Sequence, residues 1–535
     1  MKTYLLRLIG QNGWLSPLRF DSFRALWFTW LIANTCMWMN DVAAAWTMTS
    51  LTTSTTLIAL VQTASSLPVL LLGVPSGAMA DIVNRKHYFV FTQIWLAINA
   101  TVLMLFLAIG TLGPYTLLLL TFTNGIGLAM RWPIFAAVVP ELVPKDSLQP
   151  ALALNAIAMN TSRIIGPLVA GFIIAIAGSQ YVFGLNMALS LITTVIVLRW
   201  QYQNYVPTLP GERFIGAMRV GVQHVWQSNR MRIIIIRAFL FFLQSTGLIA
   251  LLPVIAKDHF EGGAGTFTLM LSCLGLGAII AGTQIPHIRK RYKSSNLVNY
   301  GVIIVCISCA GVVLAPNIWI ASPLMMVCGM AWLTVANSLT TSAQLTLPGW
   351  VRARGMSIYQ MSLMAGSALG AAVWGKLASE LDVTSSILIS SVFGLITLFL
   401  IRNYRIDKHA ADDMTPVCPL ERPYATKDID LQAGPVVISI EYHVHKDHLE
   451  AFREVMARAR KSRLRQGALS WSLFEDAEHI GNFIENFVFE TWADYLRRFD
   501  RFTVQDLAMQ EERQKYHMDS EPPKVTRKIA SRIKD

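Results

Sequence analysis

The sequence predicts an all-α polytopic membrane protein. About twelve transmembrane helices form two six-helix bundles, and a small C-terminal α+β domain of ferredoxin-like order follows. Three observations lead there. Of 535 residues, 53 % are hydrophobic and only 15 % charged, with mean hydropathy +0.45, whereas soluble proteins carry roughly 25 % charge. Apolar blocks long enough to cross a bilayer, which takes about 20 residues, recur from Phe23 to Arg402. Beyond Tyr404 those blocks stop, and alternating strands and amphipathic helices take over.

The spans fall, with approximate edges, at 21–47, 57–80, 88–110, 114–139, 150–177, 180–198, 232–256, 266–287, 297–315, 318–346, 354–376 and 384–402. A longer polar stretch separates the first six from the last six. It contains Pro207, Pro210 and an amphipathic helix expected around Phe214–Trp226. The expected domains are therefore an N-terminal bundle at 1–198, a central loop at 199–231 and a C-terminal bundle at 232–402. No A-x-A-like cleavage site follows a short apolar stretch near Met1, so no removable signal peptide is expected.

Basic residues orient the chain. With a cytoplasmic N-terminus, the inner connections hold fourteen Lys and Arg, among them Arg85, Lys86, Lys145, Arg289, Lys290, Arg352 and Arg354, while the outer ones hold Lys257 and Lys376. That is the bias of the positive-inside rule. It places the chain in the cytoplasmic (inner) membrane with both termini inside. The net charge of +12 sits between apolar blocks and in the tail, which argues against nucleic acid as a partner. Five of six cysteines lie in apolar blocks, where cysteine acts as a small hydrophobe. Cys306 and Cys309 have C-x-x-C spacing without a third ligand nearby, so no metal is expected. The chain lacks a G-x-x-x-x-G-K-[ST] phosphate loop. An ATP-driven pump is thereby disfavoured, no cofactor is expected, and an ion gradient becomes the expected energy source.

The halves are weakly repeated. "RIIGPLVAG" at 163–171 and "GSALGAAVWG" at 366–375 align with an offset of 204, matching Gly166 to Gly370 and Gly171 to Gly375. Each follows a short Pro-containing loop, and the second loop carries Arg352 and Arg354. Two related halves are what internally repeated transporters show.

The turn after span two reads "GVPSGAMADIVNRKHY", 73–88. Gly73 and Gly77 have the small-x-x-x-small spacing that lets helices approach. Asp81 either bonds free N–H groups at a helix start or pairs with Arg85, and Arg85 and Lys86 anchor the orientation. Gly77 to Lys86 resembles the loop signature of the major facilitator superfamily, departing at Ile82, where a basic residue is usual, and at Asn84, where Gly is usual. "MNDVAAAWTMTSLTTS", "LPVLLLGVPSGAMAD", "PELVPKDSLQPALALNAIAMNTSRIIGPLVAG" and "LPGWVRARGMSIYQ" extend the likeness over most of 15–405. They resemble the bacterial transmembrane secretion effector branch, with its enterobactin-exporter-like carriers. The resemblance implies the major facilitator fold, with two bundles rocking around a midplane cavity. It also implies a gate latch built from Gly73, Gly77, Asp81, Arg85 and Lys86, weakened by Ile82. Gly166, Pro167 and Gly171 resemble the span-five antiporter signature, which implies efflux with protons as the coupling ion.

Several charges lie at membrane depth, where ionisable residues are costly and point to function. Asp41 in span one either binds a proton or a cation, or sits wetted near the outer end. Arg131 and Arg163 either contact an anionic substrate, pair with Asp41 or Glu141 in a proton relay, or snorkel to the headgroups. Trp27, Trp30, Trp38 and Trp46 recur along span one, either as an interface belt or as stacking surfaces.

Residues 403–434 read as a linker, 435–520 as a β-α-β-β-α domain and 521–535 as a basic tail. "ISIEYHV", "QGALSWSLFED" with Trp471 and "ETWADYLRRFDRFT" resemble antibiotic-biosynthesis-monooxygenase-like domains of the dimeric α/β-barrel type. Strand alternation puts His443 and His445 on one face. The resemblance implies a dimerising or ligand-sensing module, with His443, His445 and Trp471 as candidates for chemistry. The expected function is secondary active transport: export of a small amphiphilic molecule (a drug, siderophore or aromatic metabolite) in exchange for protons. The alternative is a membrane-tethered enzyme or sensor whose tail acts on that compound.

Overall fold

In a bilayer every backbone N–H and C=O must find its partner within the protein, and the apolar blocks do so as helices. A computed structural model describes residues 15–144, 147–200, 214–348, 350–404 and 429–531. The first six long helices are α1 (Asp21–Leu51), α2 (Thr55–Ile82), α3 (Arg85–Ile109), α4 (Pro114–Leu142), α5 (Leu148–Ile176) and α6 (Ser179–Arg199). After the short amphipathic α7 (Phe214–Gln227) come α8 (Asn229–Val254), α9 (Ala264–Arg291), α10 (Ser294–Leu314), α11 (Ile318–Thr346), α12 (Arg352–Glu380) and α13 (Val383–Ile401). Among the described residues, nine helices are long and apolar enough to cross a membrane. Helices α1, α4 and α12 match them in length, at 31, 29 and 29 residues.

Two local features bear on the expected gate. The turn between α2 and α3 is shorter than the spans suggest: α2 continues to Ile82, so Asp81 lies in its last turn. The next helix is capped instead by Asn84, whose Oδ1 accepts hydrogen bonds from the backbone N–H of Lys86 (3.0 Å) and His87 (3.3 Å). Asn84, the departure from the expected signature, thus takes the capping role open to Asp81 in the sequence.

The chain divides into two compact units. The first comprises residues up to Val206, Ile235–Thr340 and Tyr359–Tyr404; the second comprises Pro207–Ile234, Thr341–Ile358 and Arg405–Asp535. The second unit contains a four-stranded sheet of β1 (Val436–His443), β2 (Ser470–Glu475), β3 (Asn482–Phe489) and β4 (Val525–Ile529), in the order β2-β3-β1-β4 with every neighbouring pair antiparallel. Three helices accompany it: α14 (Leu449–Arg465), α15 (Trp492–Asp500) and α16 (Val504–Gln514). Strand β4 falls inside the segment read as a basic tail. Its sequence VTRKI is charged and largely exposed, as suits an edge strand that must not recruit another chain, and that composition hid it.

Alternation on β1 buries Val436, Ile438, Ile440 and Tyr442; on β3 it buries Phe483, Glu485, Phe487 and Phe489. A carboxylate therefore points into an apolar face. Glu485 receives hydrogen bonds from Arg463 (2.9 and 3.3 Å), Arg513 (3.3 Å), Trp471 Nε1 (2.9 Å) and Tyr442 Oη (3.1 Å). Burial alone would raise its carboxyl, but Arg463, Arg513 and the Trp471 donor outweigh that and hold it down at about 2.

The same unit joins this domain to α7 and to the segment around Trp350. Arg219 pairs with Glu490 at 2.8 Å. The Arg501 guanidinium lies 4.6 Å from the Trp350 ring centre, and His224 meets that ring edge-on at 5.4 Å. Burial, together with Arg465 and Arg501 but opposed by Asp506, pushes the His224 imidazole down to about 3.

Two outcomes follow for the full-length protein. Glu485→Gln leaves Arg463 and Arg513 buried without their counter-charge and should destabilise the domain by about 3–5 kcal/mol, read by hydrogen exchange on β1 and β3. For His224 the folded value lies below the unfolded 6.5. Docking of α7 is therefore intact above pH 6.5 and should weaken by about 1.4 kcal/mol per unit as the pH falls toward 3. His224→Phe should flatten that dependence in exchange rates measured across α7.

Candidate functional site

The site lies in the first unit, where α1–α6 meet α8–α13, and glycines set the spacing. A Cβ on Gly166 would sit 2.5 Å from Trp38 Cβ and 3.0 Å from the Thr35 carbonyl oxygen of α1. Its counterpart Gly370 lies directly on the Leu243 carbonyl of α8. One to two turns further on, Gly171 faces Thr268 of α9 and Gly375 faces Ala59 of α2. Each pair thus does the same two things. The first glycine packs α5 or α12 on a helix of its own half, and the second packs it on a helix of the other half. Pro167 follows Gly166 inside α5. The seam is also tied by Thr56 Oγ1 to Ser379 Oγ (2.8 Å), Thr63 Oγ1 to the Ala368 carbonyl (2.8 Å), Lys257 Nζ to the Thr49 carbonyl (2.8 Å) and a Trp46–Phe267 stack at 5.4 Å.

One turn before Gly166, Arg163 projects from α5 between two indoles. Its guanidinium carbon lies 5.2 Å from the Trp38 ring centre and 4.9 Å from that of Trp332, one from each half. Cation–π contact of this kind contributes about 0.5–2 kcal/mol. Trp332 is fixed by its Nε1–H donating to Ser245 Oγ at 3.2 Å and by edge-on contact with Phe242. Tyr359, hydrogen-bonded to Thr340 at 3.1 Å, is within electrostatic reach of Arg163. Among the described residues Arg163 forms no ion pair, and both Arg163 Nε and Trp38 Nε1 are buried without a partner. Unfilled buried donors beside a cation and two aromatic faces suit an anionic, aromatic ligand.

Arg131 and Asp41 are not brought together. Arg131 does not snorkel: it is 1 % exposed, donating to the Ala33 carbonyl at 3.0 Å and to Asn34 Oδ1 at 3.5 Å, with Trp30 alongside. It anchors α4 to α1. Asp41 is half-buried, accepting from Ser65 Oγ at 2.9 Å in a small cleft shared by α1, α2 and α8. Gly73 faces Met361 of α12 across the seam. The side chains of Gly77, Asp81 and Glu141 lie outside the described residues. Arg85 and Lys86 stand in the first turn of α3. Arg352 caps a carbonyl, its Nε donating to Leu347 O at 3.3 Å, and Arg354 packs on Gly221 of α7.

In the tail the three candidates separate. Trp471 is committed to Glu485, His443 pairs with Asp519 and stacks on His517, and His445 accepts from the Asp447 N–H at the start of a short turn. Sequence reasoning missed Trp332, Tyr359 and Glu485. Only Glu485 carried a local signal, a charge on the apolar phase of an alternating strand.

A family model described as transmembrane secretion effector matches residues 12–534. Similar proteins include the staphyloferrin A transporter of Staphylococcus aureus, 23 % identical over 52 % of this chain and 70 % of its own length. Macrolide efflux protein A of Streptococcus pyogenes is 21 % identical over 54 % and 71 %. The enterobactin exporter EntS of Shigella boydii is 22 % identical over 74 % and 97 %. Among solved structures, a bacterial homologue of the human lysosomal transporter Spinster superposes with a TM-score of 0.60 at 15 % identity, covering 74 % of this chain and 99 % of that one. The nucleoside transporter NupG gives 0.58 at 15 %, covering 71 % and 99 %. These likenesses establish the fold.

The glycine spacing predicts that Gly166→Leu, whose side chain would drive into Trp38 and the Thr35 carbonyl, lowers stability by about 1–3 kcal/mol or more. Thermal unfolding in detergent should show a clear fall in midpoint, whereas Gly265→Leu, with nothing within 4 Å, should show almost none.

Proposed function

We propose, from the premise that the chain belongs to the transmembrane secretion effector family of major facilitator transporters, that it exports a small amphiphilic molecule across the cytoplasmic membrane by alternating access. The observation that carries this reading is the Arg163 cage. A cation between indoles from opposite halves, with unfilled donors on Arg163 and Trp38, sits where a substrate would be handed from one half to the other. It favours an aromatic anion over a lipophilic cation. Relatives named for enterobactin, staphyloferrin A and macrolides support a siderophore or drug-like cargo.

In this reading twelve helices span the bilayer, with both termini and the basic connections in the cytoplasm. The 1–198 and 232–402 bundles rock about the glycine contacts. Gly73, Gly77, Asp81, Arg85 and Lys86 form the inner gate, and Asp41 exchanges the coupling proton near the opposite end. Arg131 is structural, holding α4 to α1.

The test uses purified protein in liposomes carrying a pH-sensitive dye and an imposed proton gradient. Enterobactin, an aromatic acid and a lipophilic cation are offered in turn. Proton flux should be triggered by the anionic aromatic compounds. Arg163→Ala should reduce it at least tenfold, with partial retention in Arg163→Lys, and Asp41→Asn should abolish flux while leaving substrate binding. Flux triggered only by the cation, or unaffected by Arg163→Ala, would overturn the assignment.

A further inference from the structure

The second unit holds a cleft that the transport reading does not use. A cleft of about 220 Å³ lies between the chain leading into α8, at Gln227, Ser228 and Asn229, and helices α14 and α16. That is below the roughly 300–1,000 Å³ of drug-sized ligand sites and suits a small anionic head group. Its wall is predominantly cationic. Arg458, Lys461 and Arg465 line it, against Glu512 as the acidic lining residue, and Ala508 and Met509 supply an apolar floor.

The cations are unequally committed. Arg458 is paired with Glu512. Arg465 reaches Gln505 at 3.3 Å and Asp506 at 3.4 Å, and Asp506 is already engaged by Ser462 and Thr503. Lys461 has no acidic partner among the described residues, although Arg458 stands three positions before it on α14. Two adjacent cations on one helix face repel unless an anion lies between them. A carboxylate or phosphate in the cleft would supply that charge, with Lys461 as the point charge and Arg465 as the directional donor. An apolar body could then rest on Ala508 and Met509.

We infer that this cleft is a binding site for an anionic amphiphile bearing a carboxylate or phosphate group. Its occupant touches the soluble domain and the entry to α8 at once, so it cross-links the two within the second unit. A membrane lipid headgroup and a soluble metabolite share this chemistry.

The experiment titrates full-length protein in neutral detergent with three probes: inorganic phosphate, 2,3-dihydroxybenzoate and dihexanoyl phosphatidic acid. Isothermal calorimetry reads binding. At least one probe should bind saturably, Lys461→Glu should weaken it tenfold or more, and Lys461→Arg should retain it. Phosphatidic acid alone would identify a lipid source; dihydroxybenzoate or free phosphate would identify a soluble one. Lys461 is exposed, so Lys461→Glu should keep the wild-type unfolding midpoint. Absence of saturable binding by all three probes, or binding unchanged in Lys461→Glu, would overturn the site. This readout is independent of transport, so failure here leaves the proposed function standing.

Discussion

Close helix packing at glycines organises the membrane part of this protein, and four of those glycines stand at corresponding positions in the two halves. Lipid tails are as apolar as leucine, so burial gives neighbouring helices little reason to associate; tight van der Waals contact has to supply it. Gly166 and Gly370 let α5 and α12 lie against α1 and α8, and Gly171 and Gly375 let the same helices touch the opposite half. Arg163 falls between Trp38 and Trp332 because the turn beside it is drawn onto α1, and Trp332 waits there because Ser245 and Phe242 hold it.

Within that frame the buried charges are handled in three ways. Arg131 has no acidic partner among the described residues and is solvated by a carbonyl and an amide of α1, which makes it a strut. Arg163 is partly solvated by π-faces and keeps its Nε donor unused, which leaves it available. Beside the four-stranded sheet Glu485 is saturated by two guanidiniums, an indole and a phenol. A carboxylate so fully bonded fixes a core. Trp471, a candidate for chemistry, is one of the groups that saturate it.

The helical plan was readable because a bilayer leaves an apolar segment few options, and because basic residues cluster at the connections. The offset of 204 between the two glycine motifs was readable as well, and the matching glycines make matching contacts. The cage was not: Arg163, Trp38, Trp332 and Tyr359 are scattered over more than half the first unit's sequence, and nothing local to Trp332 distinguishes it from a lipid-facing tryptophan. The role of Asn84 was obscured for a different reason. It was visible as a departure from a family pattern, and capping appears only once the helix boundaries are known. Strand β4 was hidden by the charges that protect its exposed edge.

The joint between α2 and α3 has a mechanical consequence. Only Val83 and Asn84 separate the two helices, and a fully extended pair of residues reaches about 7 Å. Asn84 further locks one side of that joint to the first turn of α3. Such a link has almost no slack. The end of α2 cannot move away from the start of α3, so any displacement of one helix end must carry the other with it.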